Sequence, residues 1–188
     1  VTVGLLGAGA ASVKFASDYN ESLNKVQVAF GNSAGEVESF AKTTLDAFGI
    51  AEGSALDMAA LFGDMATSMG LTQGEASSMS TSLVGLAGDL ASFKNIGLDE
   101  AMTALNGIFT GETESLKQIG VVMTQTNLDA YALANGFGKT TSEMTQAEQV
   151  QLRYQYVLNA TKNAQGDFAN TADAVSYTHL TLPTICSV

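Results

Sequence analysis

Between Ser12 and Gly166, apolar residues recur at steps of three and four, and the runs close on glycine. Helices joined by tight turns satisfy that pattern; strands, with their period of two, do not. Phe15, Tyr19, Leu23, Val26 and Phe30 line one helix face that Gly31 stops. The next helix opens at "SAGE", where Ser33 and Glu36 have capping-box spacing, and carries Val37, Phe40, Ala41, Leu45 and Phe48 to Gly49. A third starts near Ser54, holds Met58, Phe62, Met65 and Met69 in register and ends at Gly70. Thr72 and Glu75 form a second capping box for the most regular run, Ala76, Met79, Leu83, Leu86, Leu90 and Phe93.

Further helices are expected over residues 99–109, in "ETESLKQIG" and over residues 127–135, with "VVM" extended and "GFGKTTSEM" a loop. Thr145 and Glu148 open another, through Val150, Tyr154, Val157 and Leu158 to Lys162, and "DFANTADAV" after Gly166 starts one more. The fold class is therefore all-α: amphipathic helices of about 10 to 24 residues joined by glycine-marked turns in a compact domain. Residues 1–11 form a loose Gly/Ala-rich N-terminal arm, residues 12–175 the helical domain, and residues 176–188 a tail outside it. Phe40, Leu45, Phe62, Leu83, Leu86, Leu90 and Tyr154 are the expected core.

Composition sharpens this picture. The hydrophobic fraction of 46% rests on Ala, Leu, Met and Val, with 19 Gly and no Trp, so helices can approach closely while large anchors are few. The seam from Ala76 to Phe93 suits another helix, in the same chain or in a neighbouring copy. Charged residues beside it, Asp89 and Lys94, are too sparse to specify a coiled-coil partner, which favours packing within the chain. The methionines at 58, 65, 69 and 79 read as core filler first and as an adaptable partner surface second.

Eight Lys and Arg against 19 Asp and Glu, net −11, with no basic cluster, argue against a nucleic acid held through its phosphates. One Cys excludes disulfide stapling, and no Cys/His pattern for zinc is present; cytoplasmic or intravirion surroundings fit. The uncharged start "VTVGLLGAGAASV" is too short to span a bilayer, which takes about 20 apolar residues, and has no basic region of a signal peptide. It reads as the interior of a longer reading frame. "GAGAAS" within it is a weak likeness of a phosphate loop: no strand pattern precedes it, no acid follows in a second strand, and no P-loop Lys is present.

Residues 1–176 contain no His and no Cys, so no Ser/His or Cys/His pair can be assembled there. The remaining candidates are carboxylate pairs, Glu112 with Glu114 and Asp99 with Glu100. Adjacent or alternate acids on a helix point apart, and acids at helix starts are favoured by the dipole, so both pairs read as structural. No catalytic, cofactor-binding or metal-binding residue is expected, and no cofactor.

Three segments in order carry a resemblance: "ASVKFASDYNESLNKVQVAFG", then "GLDEAMTALNGIFTGETESLKQIGVVM", then "QVQLRYQYVLNATKNAQGDFANTADA". The chain resembles phage tail tape measure proteins on their N-terminal side, with "AL.GIFTGE" followed by "SLKQIGV" as the most specific part. The resemblance implies a structural protein that sits in several copies inside the growing tail while tube subunits polymerise around it. Implied partners are tail-tube subunits, tail assembly chaperones and other copies of itself, in the virion tail lumen and, during assembly, the host cytoplasm. Glycines break these residues too often for a length of ruler, so a compact N-terminal domain is expected. Two alternatives stay open: a soluble helical interaction module outside phage biology, and a membrane-active or cell-wall-degrading module used in DNA delivery.

The pattern breaks at Ser176. "SYTHLTLPTICSV" holds His179, Pro183 and Cys186, each the only residue of its kind in the chain, and alternates like a strand. It resembles translated sequencing-adapter read-through, and it is expected to contribute nothing to fold or function.

Overall fold

A computed structural model of the chain describes residues 2–172, with side chains from residue 16 onward. The backbone is mainly helical, with no strand among the described residues. The helices are α1 (Thr2–Phe30), α2 (Ala34–Ala41), α3 (Thr44–Phe48), α4 (Glu52–Ser68), α5 (Gln73–Lys94), α6 (Leu98–Thr110), α7 (Glu114–Gln118), α8 (Gln125–Ala134) and α9 (Gln146–Ala160). Short 3₁₀ turns lie at Gly31–Ser33 and Thr141–Glu143, and residues 167–172 are helical again. The tail with His179, Pro183 and Cys186 lies outside the described residues.

The centre of the molecule is α5. Its expected seam is buried at Ala76, Met79, Leu83, Leu86 and Leu90, but so are Ser77, Ser80, Val84, Gly85, Ala87, Gly88 and Asp89 on its other sides. The small residues on these sides serve as close contacts: Cβ atoms added to Gly85 and Gly88 would come within 2.9 and 2.8 Å of Phe48. The seam is filled from within the chain. Its last residue, Phe93, is 46% exposed. It lies one residue before the helix ends at Lys94, whose ammonium sits 5.4 Å above the Phe93 ring.

α1 and α4 run parallel in a constant register. Tyr19 Oη donates to Glu52 at 2.7 Å, Lys25 Nζ to Asp57 at 3.3 Å, and the Phe30 ring occupies the space beside Gly63, where a Cβ would lie 2.2 Å from Cζ. The helical backbone of α1 starts at Thr2, ahead of the expected start at Ser12, and takes in "GAGAAS". Phe62 of α4 stacks on Phe109 of α6 with centroids 5.8 Å apart, joining the two helices within the core.

Two expectations fail at α2 and α3. The single helix read from Ser33 to Phe48 is broken at Lys42 and Thr43. The break shifts the register by one residue: Thr44 is buried, its hydroxyl donating to Ala41 O at 2.8 Å and Ile50 O at 2.9 Å, and Leu45 turns out to 61% exposure. Leu45 is therefore not a core residue. The capping box of Ser33 and Glu36 is absent because Ser33 ends a 3₁₀ turn at φ −91°, ψ 0° and lacks the extended backbone an N-cap needs. Glu36 instead accepts from Ser77 Oγ of α5 at 3.4 Å. Phe62, Leu83, Leu86 and Leu90 are buried as expected, whereas Phe40 and Tyr154 are half-buried against the core. "VVM" is irregular backbone, with Val121 and Met123 buried and Val122 exposed.

A buried carboxylate closes the fold. Asp89 of α5 accepts from Gly166 N at 2.7 Å and Phe168 N at 3.3 Å, and Ser92 Oγ donates to Asp167 at 2.7 Å. This clasp seats the Phe168 ring beside Gly49, which adopts a left-handed φ of +68° at the end of α3, in the space a side chain would take. Asp89→Ala removes the acceptor of the Gly166 and Phe168 N–H groups, which are only part-buried, and is expected to cost about 1–3 kcal/mol. Hydrogen exchange checks this: amides of residues 164–170 should lose protection while those of α5 keep it, and uniform loss would show a global role instead.

Candidate functional site

A polar cleft of about 550 Å³ lies between the end of α6, the start of α7, α8, the Thr141–Glu143 turn and α9. Local signals build each wall. α9 opens on the expected capping box, with Glu148 N donating to Thr145 Oγ1 at 3.3 Å and Thr145 N to Glu148 Oε2 at 2.8 Å. The same arrangement at Thr140 and Glu143 folds a turn inside the segment read as loop, and Thr124 caps α8 by accepting from Asn127 N. Met123 and Leu128 form an apolar floor.

Among the described residues, Arg153 and Asp129 are the charges that line this cleft. Arg153 of α9 directs Nη1 to the carbonyls of Ile108 and Phe109, both at 3.2 Å, and Nη2 to Gln149 Oε1 at 2.8 Å. These carbonyls belong to the last turn of α6, whose orphan acceptors and dipole favour a cation there. Gly111 ends that helix at φ +76°, and a Cβ on it would lie 3.2 Å from Arg153 Nη2, so glycine serves both the turn and the approach of the guanidinium. Burial pulls the guanidinium below its ordinary pKa, though it stays charged at neutral pH.

Asp129 of α8 accepts from Thr141 N at 2.8 Å and Thr141 Oγ1 at 2.7 Å, and Gln125 Nε2 bonds both Asp129 and Thr141. The Thr141 amide, then its hydroxyl, hold the Asp129 carboxyl below the usual carboxylate range. Asp129 is thus an ionised acceptor and Arg153 a fixed cation; neither is poised to exchange a proton near neutrality. The arrangement binds and braces by hydrogen bonds.

The carboxylates singled out from sequence lie elsewhere. Glu114 pairs with Lys117 at 2.6 Å in α7, while Asp99 and Glu100 occupy the exposed first turn of α6. The structure brings neither pair into the cleft, since Glu112 and Glu114 are exposed outside its lining. Among the described residues, no group of three or more His, Cys, Asp or Glu side chains could hold a metal ion, and no helix is long and apolar enough to cross a membrane. Arg153 escaped the sequence reading despite a visible signal: it is the only arginine in the chain, set in the apolar run of Val150, Tyr154 and Val157.

The acid response of this region follows from Glu148. Its bond to Lys139 Nζ at 2.5 Å, then the Thr145 amide and hydroxyl, hold its pKa down at about 2, against 4.5 for a free glutamate. A carboxyl lowered on folding stabilises above its unfolded pKa and loses that contribution as pH falls through the folded one. Glu75 and Glu143, capped by Thr72 and Thr140, are lowered in the same way. The urea midpoint should fall as pH drops from 4.5 to about 2, and Glu148→Gln should flatten that limb. An unchanged acid limb in the variant would remove Glu148 from the account.

Comparison with protein-family models, with curated proteins and with solved structures gave no match to this chain.

Proposed function

We propose that this chain is part of a phage tail tape measure protein and that these residues form a compact helical module of it, with an architectural and not a chemical role. One observation carries the reading: the residues of the most specific resembling segment coincide with the joint between α6 and α7. In "ALNGIFTGETESLKQIGV", Gly107 packs against Glu112 O and Leu116, Gly111 turns the chain, Ile108 and Phe109 offer carbonyls to Arg153, and Leu116, Ile119 and Val121 are buried. The third segment supplies Arg153 itself and the Gly166–Phe168 turn held by Asp89. In both segments these residues pack, turn or brace the chain.

On this reading the partners are tail-tube subunits, tail assembly chaperones and other copies of the same chain, and the site of action is the tail lumen after assembly in the host cytoplasm. The test uses the full-length gene in its phage. Peptides from residues 16–172 should appear in purified virions by mass spectrometry. In-frame deletions in an extended helical region of the remainder should shorten tails by about 1.5 Å per residue removed. Absence of the peptides from virions, or tail length indifferent to those deletions, would sink the proposal.

A further inference from the structure

The outer faces of the parallel helices α1 and α4 leave a groove of about 460 Å³. Its two crests are Val28, 77% exposed, and Leu61, 44% exposed, while the small side chains of Ala29 and Ala60 lie buried between the helices. Singly exposed apolar residues are ordinary on a protein surface; two branched ones lining the same groove form a patch that water wets poorly.

The charges round this patch are unbalanced. On α4, Asp57 and Asp64 stand one turn before and one turn after Leu61, about 10.5 Å apart along the axis. On α1, Asp18, Glu21, Lys25 and Val28 share a face by their spacing of three and four. Among the described residues Lys25 is the one cation lining the groove, and it already bonds Glu21 at 3.0 Å and Asp57 at 3.3 Å. Asp64 has no cationic partner among the described residues. A second copy of a chain with net charge −11 would set these acids against its own excess of acids.

We propose that the α1/α4 groove is a docking surface for a basic amphipathic helix, one that lays aliphatic side chains between Val28 and Leu61 and presents Lys or Arg about one heptad apart to Asp57 and Asp64. The mode is a helix laid in a groove, with apolar contacts supplying affinity and the flanking acids selecting the partner. The proposal concerns a surface separate from the Arg153 cleft and does not depend on the parent protein being a tape measure.

The test titrates the full chain into a fluorescently labelled synthetic helix that carries Leu on one face and Lys one heptad apart, and into the same helix with Glu in place of Lys. The Lys helix should bind and the Glu helix should not. Val28→Ser with Leu61→Ser should weaken binding about tenfold or more. Asp57→Asn with Asp64→Asn should weaken it comparably at low salt and much less at high salt. Leu133→Ser, exposed on α8 outside the groove, should leave binding unchanged. All of these positions are exposed, so folding should survive in each variant, with circular dichroism as the check. Equal binding of the two helices, no binding of either, or variants that bind as the parent does would overturn the proposal. So would a concentration-dependent dimer in sedimentation that Val28→Asp abolishes, since it would assign the groove to a second copy.

Discussion

Leu83→Asp is expected to leave the chain without a cooperative thermal transition at 25 °C and above. Leu83 is fully buried in α5, and α5 is enclosed on nearly all sides, so the new carboxylate would face neither water nor a cation. Losing the leucine side chain costs about 2–5 kcal/mol through lost burial and the cavity left behind. The unpaired charge, or the proton taken up to neutralise it, adds several more. The sum rivals the whole stability of an ordinary domain, about 5–15 kcal/mol. Leu133→Asp makes the same chemical change on an exposed face of α8 and should shift stability by no more than about 0.5 kcal/mol. Circular dichroism melts of the two variants side by side check the contrast, and a Leu83→Asp protein that melts like the parent would show that α5 is not the centre of the fold.

Gly107→Ala should reverse the usual sign of its substitution. In an open helix interior, alanine for glycine stabilises by about 1 kcal/mol. At Gly107, inside α6, the added Cβ would lie 2.4 Å from Glu112 O and about 3.1 Å from the Leu116 side chain. A backbone carbonyl cannot rotate aside as the end of a long side chain can, so α7 must move off α6 and carry buried Leu116 with it. The expected loss is about 2–3 kcal/mol, the range for overpacking a filled interior. Gly53→Ala in the first turn of α4, where nothing lies within 4 Å, should be neutral or stabilising. Urea denaturation of the pair separates the effects: stabilisation at both positions would mean that α6 and α7 are not locked as described.

The sequence alone determined what depends on neighbours a few residues away. Thr72 with Glu75 and Thr145 with Glu148 are capping boxes because the reciprocal bonds span three residues, and periodic runs such as Leu83, Leu86 and Leu90 mark a buried face. Tertiary structure decided whatever required a partner far along the chain. Thr44 rather than Leu45 is buried because the α2–α3 break shifts the face toward Ile50, and Ser33 with Glu36 is no capping box because a 3₁₀ turn and Ser77 intervene. Asp89 reaches the Gly166–Phe168 turn across 77 and 79 residues, and Arg153 reaches Ile108 and Phe109 across 45 and 44. The helical period states which side of a helix is apolar, but a buried carboxylate or a half-buried guanidinium is tolerated only where distant backbone groups satisfy it. Those groups come together only once the chain has folded.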